Sequence, residues 1–311
     1  MKYTKPPLTT DEQVKLLLQR GMTGDPDLMA QRLTAVNYYR LSGYWYTFRN
    51  PDDMFKPGTT FDLVWTTYVF DRHLRLIVMD AIERIEIAVR SLLAYHHAHK
   101  HGAFAYALDP ASLPKLSPDE YHAFLDRVAE ETERSQEAFV EHFQSKYGDS
   151  HGYLPVWMAT EVMSLGSVLT FFRNSGNQVK TAVADTFGMP HRVFESWLLS
   201  LNTIRNIVAH HARLWNRVLG LKPIIPRIAD YPDWHTPVKV ENKRLFAILT
   251  ICRHCLLQIA PQSEWMTRLE TLLADFPTIP IKYMGIPENW KECPIWKSSE
   301  EECHRDRYAG M

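Results

Sequence analysis

A long segment with helical periodicity, from Phe61 to Lys100, constrains the fold of this chain more than any other feature. Its apolar residues recur every three or four positions, and Gly102 follows as a helix stop. The recurring residues are Leu74, Ile77, Ala81, Ile85, Ala88 and Leu92. Since Leu76, Met79 and Ile87 lie off this stripe, the helix is apolar on more than one side and is expected to be central.

Helix-start signals continue on both sides of this segment. They begin predicted helices at Thr10 (ending before Gly21), at Asp25-Pro26, at Ser117 (towards Tyr147), at Pro155 (through Phe172) and at Pro190 (through about Asn216). Strand-like alternation is nowhere sustained. Four prolines interrupt residues 221–240, and a helical pair follows at about 241–260 and 262–275. The sequence therefore predicts an all-α fold, a helical bundle with a long central helix and additional helices at both ends. It divides into residues 1–220 and a Pro-rich connection with a helical extension, 221–311.

The charge balance narrows the classes of partner. With 35 Lys and Arg against 36 Asp and Glu, the net charge is −1, so any nucleic-acid surface must be a local basic patch and no DNA binding is expected. No apolar run reaches the length of a membrane span, and the first residues lack a secretory signal, which predicts a cytoplasmic protein without a membrane partner. Four cysteines are too few for a disulfide scaffold in a chain of this size.

An R-x4-H pattern, formed by Arg205 and His210, lies near the end of the helix that starts at Pro190. The bare pattern is uninformative, because the chain's arginine and histidine content makes about one such pair expected by chance. Its helical context is more informative, since at about 100° per residue six polar side chains share one arc. These are Asn202, Arg205, Asn206, His210, Arg213 and Arg217. His211 lies instead within the apolar face and is interpreted as a hydrogen-bonded structural histidine.

Such an arc suits the cleavage of RNA by transesterification without a metal or other cofactor. A histidine can remove the proton of a ribose 2′-hydroxyl or return one to the leaving 5′-oxygen, while an arginine stabilises charge on the phosphate. Asn206 could orient either group, and Arg213 and Arg217 would hold neighbouring phosphates, with Asn202 beside them. One histidine supplies either the acid or the base, whereas two copies across a twofold axis supply both.

Four blocks of this sequence, in order, resemble the Abi-like proteins of the AbiD and AbiF type, which belong to the HEPN superfamily of helical-bundle ribonucleases. The blocks are YYRLSGYWYTF (38–48), YVFDRHLRLIVMDAIERIEIAVRS (68–91), WMATEVMSLGSVLTFFR (157–173) and SWLLSLNTIRNIVAHHARLWNR (196–217). The resemblance covers roughly residues 10–220. It implies an HEPN-type bundle, an antiphage endoribonuclease, and catalytic roles for Arg205 and His210, with Asn206 at the polar position after the arginine.

The same resemblance implies partners. Members of the superfamily typically pair two HEPN units to complete one site, which for a chain with one R-x4-H implies a homodimer unless a degenerate second unit lies within the chain. The resemblance also suggests a toxin–antitoxin arrangement, in which a small structured RNA binds and restrains the protein. The alternative is a non-catalytic HEPN module that binds RNA or a partner protein, with Arg205 and His210 holding the bundle together.

Three further clusters have structural interpretations that we favour over functional ones. Glu86 and Arg90, at i and i+4, predict an ion pair, with a contact from Glu86 that orients Arg205 as the lesser alternative. The aromatic run at 38–49 predicts core packing, with Arg40 and Arg49 as candidate RNA phosphate contacts. A zinc-dependent nuclease remains a third possibility, on His97 with His101 and on the CxxC of residues 252–255, but helix-end charge and apolar packing explain these residues better.

Overall fold

The computed structural model of the chain describes residue 2 and residues 6–297. Within this part the fold is all-α, as predicted, with no strand and two isolated β-bridges. The α-helices are α1 (Thr10–Gln19), α2 (Pro26–Val36), α3 (Tyr38–Trp45), α4 (Phe61–His101), α5 (Ala105–Leu108), α6 (Pro118–Arg134), α7 (Ala138–Tyr147), α8 (Val156–Val162), α9 (Leu165–Asn174), α10 (Asn177–Asp185), α11 (His191–Ala209), α12 (Leu245–Ile259) and α13 (Trp265–Asp275). No described helix is long and apolar enough to cross a membrane.

Local capping sets several helix starts where the sequence predicts them. The Asp25 carboxylate accepts the Leu28 backbone N–H at 2.9 Å, and Ser117 forms a reciprocal capping box with Glu120. The first helix is an exception, because its cap is Thr9 and not Thr10. Glu12 lies three residues after Thr9, and its carboxylate accepts the Thr9 backbone N–H at 2.7 Å.

Helix α4 spans 41 residues and ends one residue later than predicted, with Gly102 in the left-handed conformation beyond it. It buries one stripe completely, including Phe70, Leu74 and Val78. The second apolar face is not buried in this chain, since Leu76 and Ile87 are 62% and 55% exposed. The expectation of a helix covered on more than one side is therefore wrong for these two residues.

Two predicted helices are broken by serines. The helix expected from Ser117 to Tyr147 stops at Arg134, where Ser135 adopts an extended backbone and its hydroxyl accepts the Glu137 N–H. The helix expected from Pro155 to Phe172 is divided at Ser164, whose hydroxyl caps α9 by accepting the Ser167 N–H at 3.2 Å. In both cases a serine hydroxyl accepts a backbone N–H at the start of the next helix.

The described residues form two compact units. The first comprises the residues up to Leu76 together with Leu269–Pro280, and the second comprises Ile77–Arg268 with the residues from Ile281 onward. A buried network that the sequence analysis did not single out lies within the first unit, where Tyr44 donates to Asp71 at 2.6 Å and Arg75 pairs with the same carboxylate.

The Pro-rich segment is irregular, as predicted, apart from one short 3-10 turn at Pro232–Trp234. It packs on α11 within the second unit, because the Trp197 indole donates to the Ile224 carbonyl at 2.8 Å and its ring lies 5.0 Å from that of Trp234. Helix α12 is buried almost throughout. The division of the chain at residue 220 stays a prediction.

Candidate functional site

The R-x4-H residues lie at the carboxyl end of α11, with His210 opposite the buried face of the helix and Arg205 at the edge of that face. That buried face comprises Phe194, Trp197, Leu198, Ser200, Leu201, Ile204 and Val208. Arg205 is half-buried, whereas Asn206 and His210 are exposed. Asn206 and His210 are one turn apart, so their side chains lie on the same side of the helix.

The helix ends at Ala209, and the expectation that it continues to about Asn216 is wrong. His210 is the capping residue, and His211 has a left-handed backbone with φ of 55°. The His211 N–H bonds the Val208 carbonyl and the Ala212 N–H bonds the Ile207 carbonyl, both at 2.9 Å. These two bonds form a Schellman motif, with a histidine where glycine is commonest.

This ending changes the interpretation of the residues that follow. His211 does not lie within an apolar helix face as predicted, because it is exposed and beyond the last helical turn. Leu214 and Trp215 are completely buried, so the chain turns inward after the motif. The left-handed residue reverses the chain direction, so the i+4 arc does not continue past His210.

Arg213 and Arg217 therefore do not share a helical arc with His210. The Arg217 Nε atom donates to the Arg213 carbonyl at 2.8 Å, and Asn216 accepts a 3.0 Å bond from Arg244 on its side-chain oxygen. These contacts hold Arg213 and Arg217 in an irregular connection that follows His210 closely in sequence. Of the predicted arc, Asn202, Arg205 and Asn206 remain on α11 itself.

Arg205 and His210 make no side-chain hydrogen bond or ion pair with any residue that the structure describes. Both groups can therefore reach a ligand without first breaking an internal bond. The carboxyl end of a helix carries partial negative charge and stabilises cations, so the Arg205 guanidinium is compatible with this position.

The Glu86 side chain contacts Arg90 and not Arg205. Their ion pair is confirmed, and the Arg90 guanidinium also donates to the carbonyls of Thr160 and Met163 at the end of α8. The side chains of Glu86 and Arg90 are only 14% and 11% exposed. Glu86 thus holds α4 to the α8–α9 junction through Arg90, and a contact that would orient Arg205 is not observed.

The other candidate RNA contacts, Arg40 and Arg49, belong to the first compact unit. Arg40 is exposed on α3, whereas Arg49 pairs with Asp53. The aromatic run around them is divided: Tyr44 and Trp45 are buried, as core packing predicts, while Tyr39 and Tyr46 are 87% and 70% exposed.

The histidine and cysteine clusters have the packing expected of structural groups. His97 is completely buried, with its ring 4.8 Å from that of Phe171 and 4.9 Å from that of His101. Burial lowers the pKa of His97 to about 4 and raises that of the Cys252 thiol to about 12. No group of three or more potential ligands is arranged for a metal among residues 6–297, and Cys303 lies outside the described residues.

Sequence reasoning missed a charged group at the other end of α11. There Lys180 and Arg173 both pair with Glu195, and Lys115 and Arg192 lie beside them. Because these residues come from four separate segments, no motif spacing indicates their proximity.

Comparison with known proteins identifies one family. The model of a family described as Abi-like protein matches residues 31–216, a range that includes Arg205 and His210 and ends at Asn216. No curated protein and no solved structure matches the chain.

Proposed function

Because this chain belongs to the Abi-like family, which points to abortive-infection defence, we propose that it is an endoribonuclease that uses its R-x4-H motif without a metal ion. The observation that carries the proposal is the position of the motif. Within the range that the family model matches, half-buried Arg205 and exposed His210 lie at one helix end, and neither bonds another described side chain.

The proposed reaction needs one base and one acid. The base removes the proton of a ribose 2′-hydroxyl, the 2′-oxygen attacks the adjacent phosphorus, and the bond to the 5′-oxygen breaks. The acid protonates that leaving oxygen. The products are a 2′,3′-cyclic phosphate and a 5′-hydroxyl, so atoms and protons balance without a co-reactant.

Arg205 would stabilise the additional negative charge on the phosphate oxygens in the transition state. Asn206 lies one turn before His210 on the same side and would hold the imidazole or the phosphate by its amide. Arg213 and Arg217 would bind neighbouring phosphates from the connection after α11, and Asn202, Arg40 and Arg49 remain proposed RNA contacts.

A complete site requires two copies of His210, because one imidazole cannot serve as base and acid at opposite oxygens in one turnover. We therefore place the site at the twofold axis of a homodimer of the HEPN type, with both α11 ends facing the RNA. A small structured RNA would restrain this toxin by occupying the same basic surface, since an inhibitor and a substrate of one chemistry compete for one site.

The test is incubation of the purified protein with total cellular RNA in excess chelator, followed by mapping of the new ends. We expect cyclic-phosphate ends for the native protein and a loss of about 10²- to 10⁴-fold in rate for His210→Ala. Arg205→Lys separates charge from geometry, because lysine keeps the charge but lacks the bidentate guanidinium.

The matched control is His122→Ala, which removes an exposed histidine on α6 and should leave cleavage unchanged. Unchanged cleavage by His210→Ala would overturn the catalytic assignment. Loss of cleavage in chelator that added zinc restores would favour the metal-dependent nuclease. RNA binding by the native protein without any cleavage would favour the non-catalytic module.

A further inference from the structure

Four cationic side chains gather around one carboxylate near the start of α11. The Lys180 ammonium lies 3.0 Å from one Glu195 oxygen and the Arg173 guanidinium lies 3.4 Å from the other. The remaining two cations are Lys115, which lies beside Lys180, and Arg192, which is three residues before Glu195 in the first turn of α11. One carboxylate cannot neutralise four cations.

Burial makes this imbalance significant. The Lys180 side chain is only 2% exposed, so its charge needs the Glu195 partner and that carboxylate is committed to it. Lys115 and Arg192 are exposed, and neither has a salt bridge to a carboxylate of residues 6–297. The close approach of Lys180 is the first cause that lowers the pKa of Lys115, ahead of burial. Two ammonium groups held together in this way are stabilised by an added anion.

The helix itself adds to the positive field at this position. Pro190, the residue before α11, provides no side-chain cap for the first-turn N–H groups. The amino end of a helix attracts anions through these groups and through the helix dipole. Arg192 lies in that first turn, so its guanidinium and the helix end act on the same volume.

We propose that Lys115 and Arg192, supported by the Lys180–Glu195 pair, bind a phosphate of an RNA strand. The choice of RNA rests on the proposed function, whereas the anion-binding geometry does not. A guanidinium binds two phosphate oxygens in parallel, and an ammonium adds a point charge. A local site of this kind explains how a chain with a net charge of −1 can hold RNA.

The helix relates this phosphate site to the R-x4-H motif. His210 follows Arg192 by five helical turns, which places both on the same side of α11 about 27 Å apart. Arg192, Asn206 and His210 are all exposed along this side. A stacked strand of about eight nucleotides, at roughly 3.4 Å each, spans that distance. The strand would be anchored at one end of α11 and cleaved at the other.

The test measures binding separately from cleavage. The probe is a fluorescent RNA of about 16 nucleotides with 2′-O-methyl groups throughout, because such a strand cannot undergo transesterification and is long enough for both ends of α11. We expect Lys115→Gln/Arg192→Gln to weaken its binding about tenfold. The slope of log K against log salt should fall by about 0.7, since the variant loses one phosphate contact of a single strand.

The matched control is Arg134→Gln/Lys146→Gln, which removes the same two residue types from exposed positions on α6 and α7. It should keep the native affinity and slope. The charge-keeping variant Lys115→Arg/Arg192→Lys should also retain most of the slope, which a merely structural role for these exposed residues would not explain.

Unchanged affinity and slope in Lys115→Gln/Arg192→Gln would overturn the phosphate site, as would a native protein that does not bind the probe. Failure of the proposed function has a different signature. If the variant loses binding as expected but unmodified RNA is never cleaved, the phosphate site stands and the nuclease assignment fails. If cleavage depends on His210 but the probe binds Lys115→Gln/Arg192→Gln normally, the nuclease assignment stands and the phosphate site fails.

Discussion

His210 and His211 differ in backbone conformation although they are adjacent, with φ of −86° and 55°. His210 caps the helix and remains on its solvent side, one turn beyond Asn206. His211 occupies the left-handed position that reverses the chain. Their separate roles therefore follow from the helix ending between them and the Schellman bonds around it.

We predict that His211→Gly keeps cleavage activity and raises the free energy of unfolding by about 0.5–1 kcal/mol, because glycine adopts a positive φ without a steric penalty. His211→Val should lower the free energy of unfolding by about 1–2 kcal/mol, since a β-branched residue is strained there. Urea denaturation measures both. A glycine variant less stable than the valine variant would contradict the assignment.

His97 links stability to pH. Burial lowers its pKa to about 4 in the folded chain, against about 6.5 when unfolded. Between these values the unfolded chain binds a proton that the folded chain does not, so the free energy of unfolding decreases as the pH falls from 6.5 towards 4. The full effect is about 3 kcal/mol at ~1.4 kcal/mol per pH unit.

We predict that His97→Phe, which keeps an aromatic ring against Phe171, removes most of this pH dependence. Urea denaturation at pH 7 and pH 4.5 should show a decrease in unfolding free energy that is smaller by about 2–3 kcal/mol than in the native protein. His122→Ala, at an exposed position, should retain the native dependence. An equal decrease in all three proteins would show that His97 is protonated in the folded chain.

At the scale of elements, the junction between α8 and α9 depends on a residue from α4. Arg90 donates to two carbonyls at the end of α8, and Ser164 begins α9 with its own cap. An arginine distant in sequence thus satisfies carbonyl groups that would otherwise lack partners, which allows a helix of seven residues to end there.

We predict that Arg90→Met lowers the free energy of unfolding by about 3–5 kcal/mol, because it leaves Glu86 largely buried without its counter-ion and removes both carbonyl bonds. Arg134→Met breaks an i, i+4 pair of the same type at the surface, with side chains 75% and 62% exposed, and should cost less than about 1 kcal/mol. Urea denaturation of both variants makes the comparison. A similar decrease in the free energy of unfolding for the two variants would contradict the role of Arg90 at the junction.

At the scale of the whole molecule, the proposed site depends on two chains. Each chain carries one R-x4-H, so a site that needs two imidazoles is completed only by association. Light scattering should then give the mass of two 36.2 kDa chains.

We predict that an equal mixture of native and His210→Ala chains, unfolded and refolded together, has about one quarter of the native cleavage activity per total chain, because only one dimer in four has two imidazoles. If each chain held an independent site, the same mixture would have about one half of the native cleavage activity per total chain. The reaction is followed with a short unmodified RNA in excess chelator. Mixing with His122→Ala should leave the activity unchanged.

The sequence by itself determined the helical content, the extent of α4 and the starts at Asp25 and Ser117, because capping and apolar periodicity involve residues within one turn of each other. It also indicated the family, through blocks in the same order. The arc with Arg213 and Arg217 could not be predicted correctly, since the end of α11 depends on Leu214 and Trp215 entering the core.

Only the tertiary structure decided which polar groups meet. Arg90 reaches α8 and Lys115 reaches Lys180 across dozens of residues of intervening chain, and such contacts have no fixed spacing. The sequence specified which side chains carry charge near the proposed site. The packing of helices decided that His210 faces solvent opposite the buried face of α11, whereas Arg205 lies half-buried at the edge of that face, and neither side chain has a partner among the described residues.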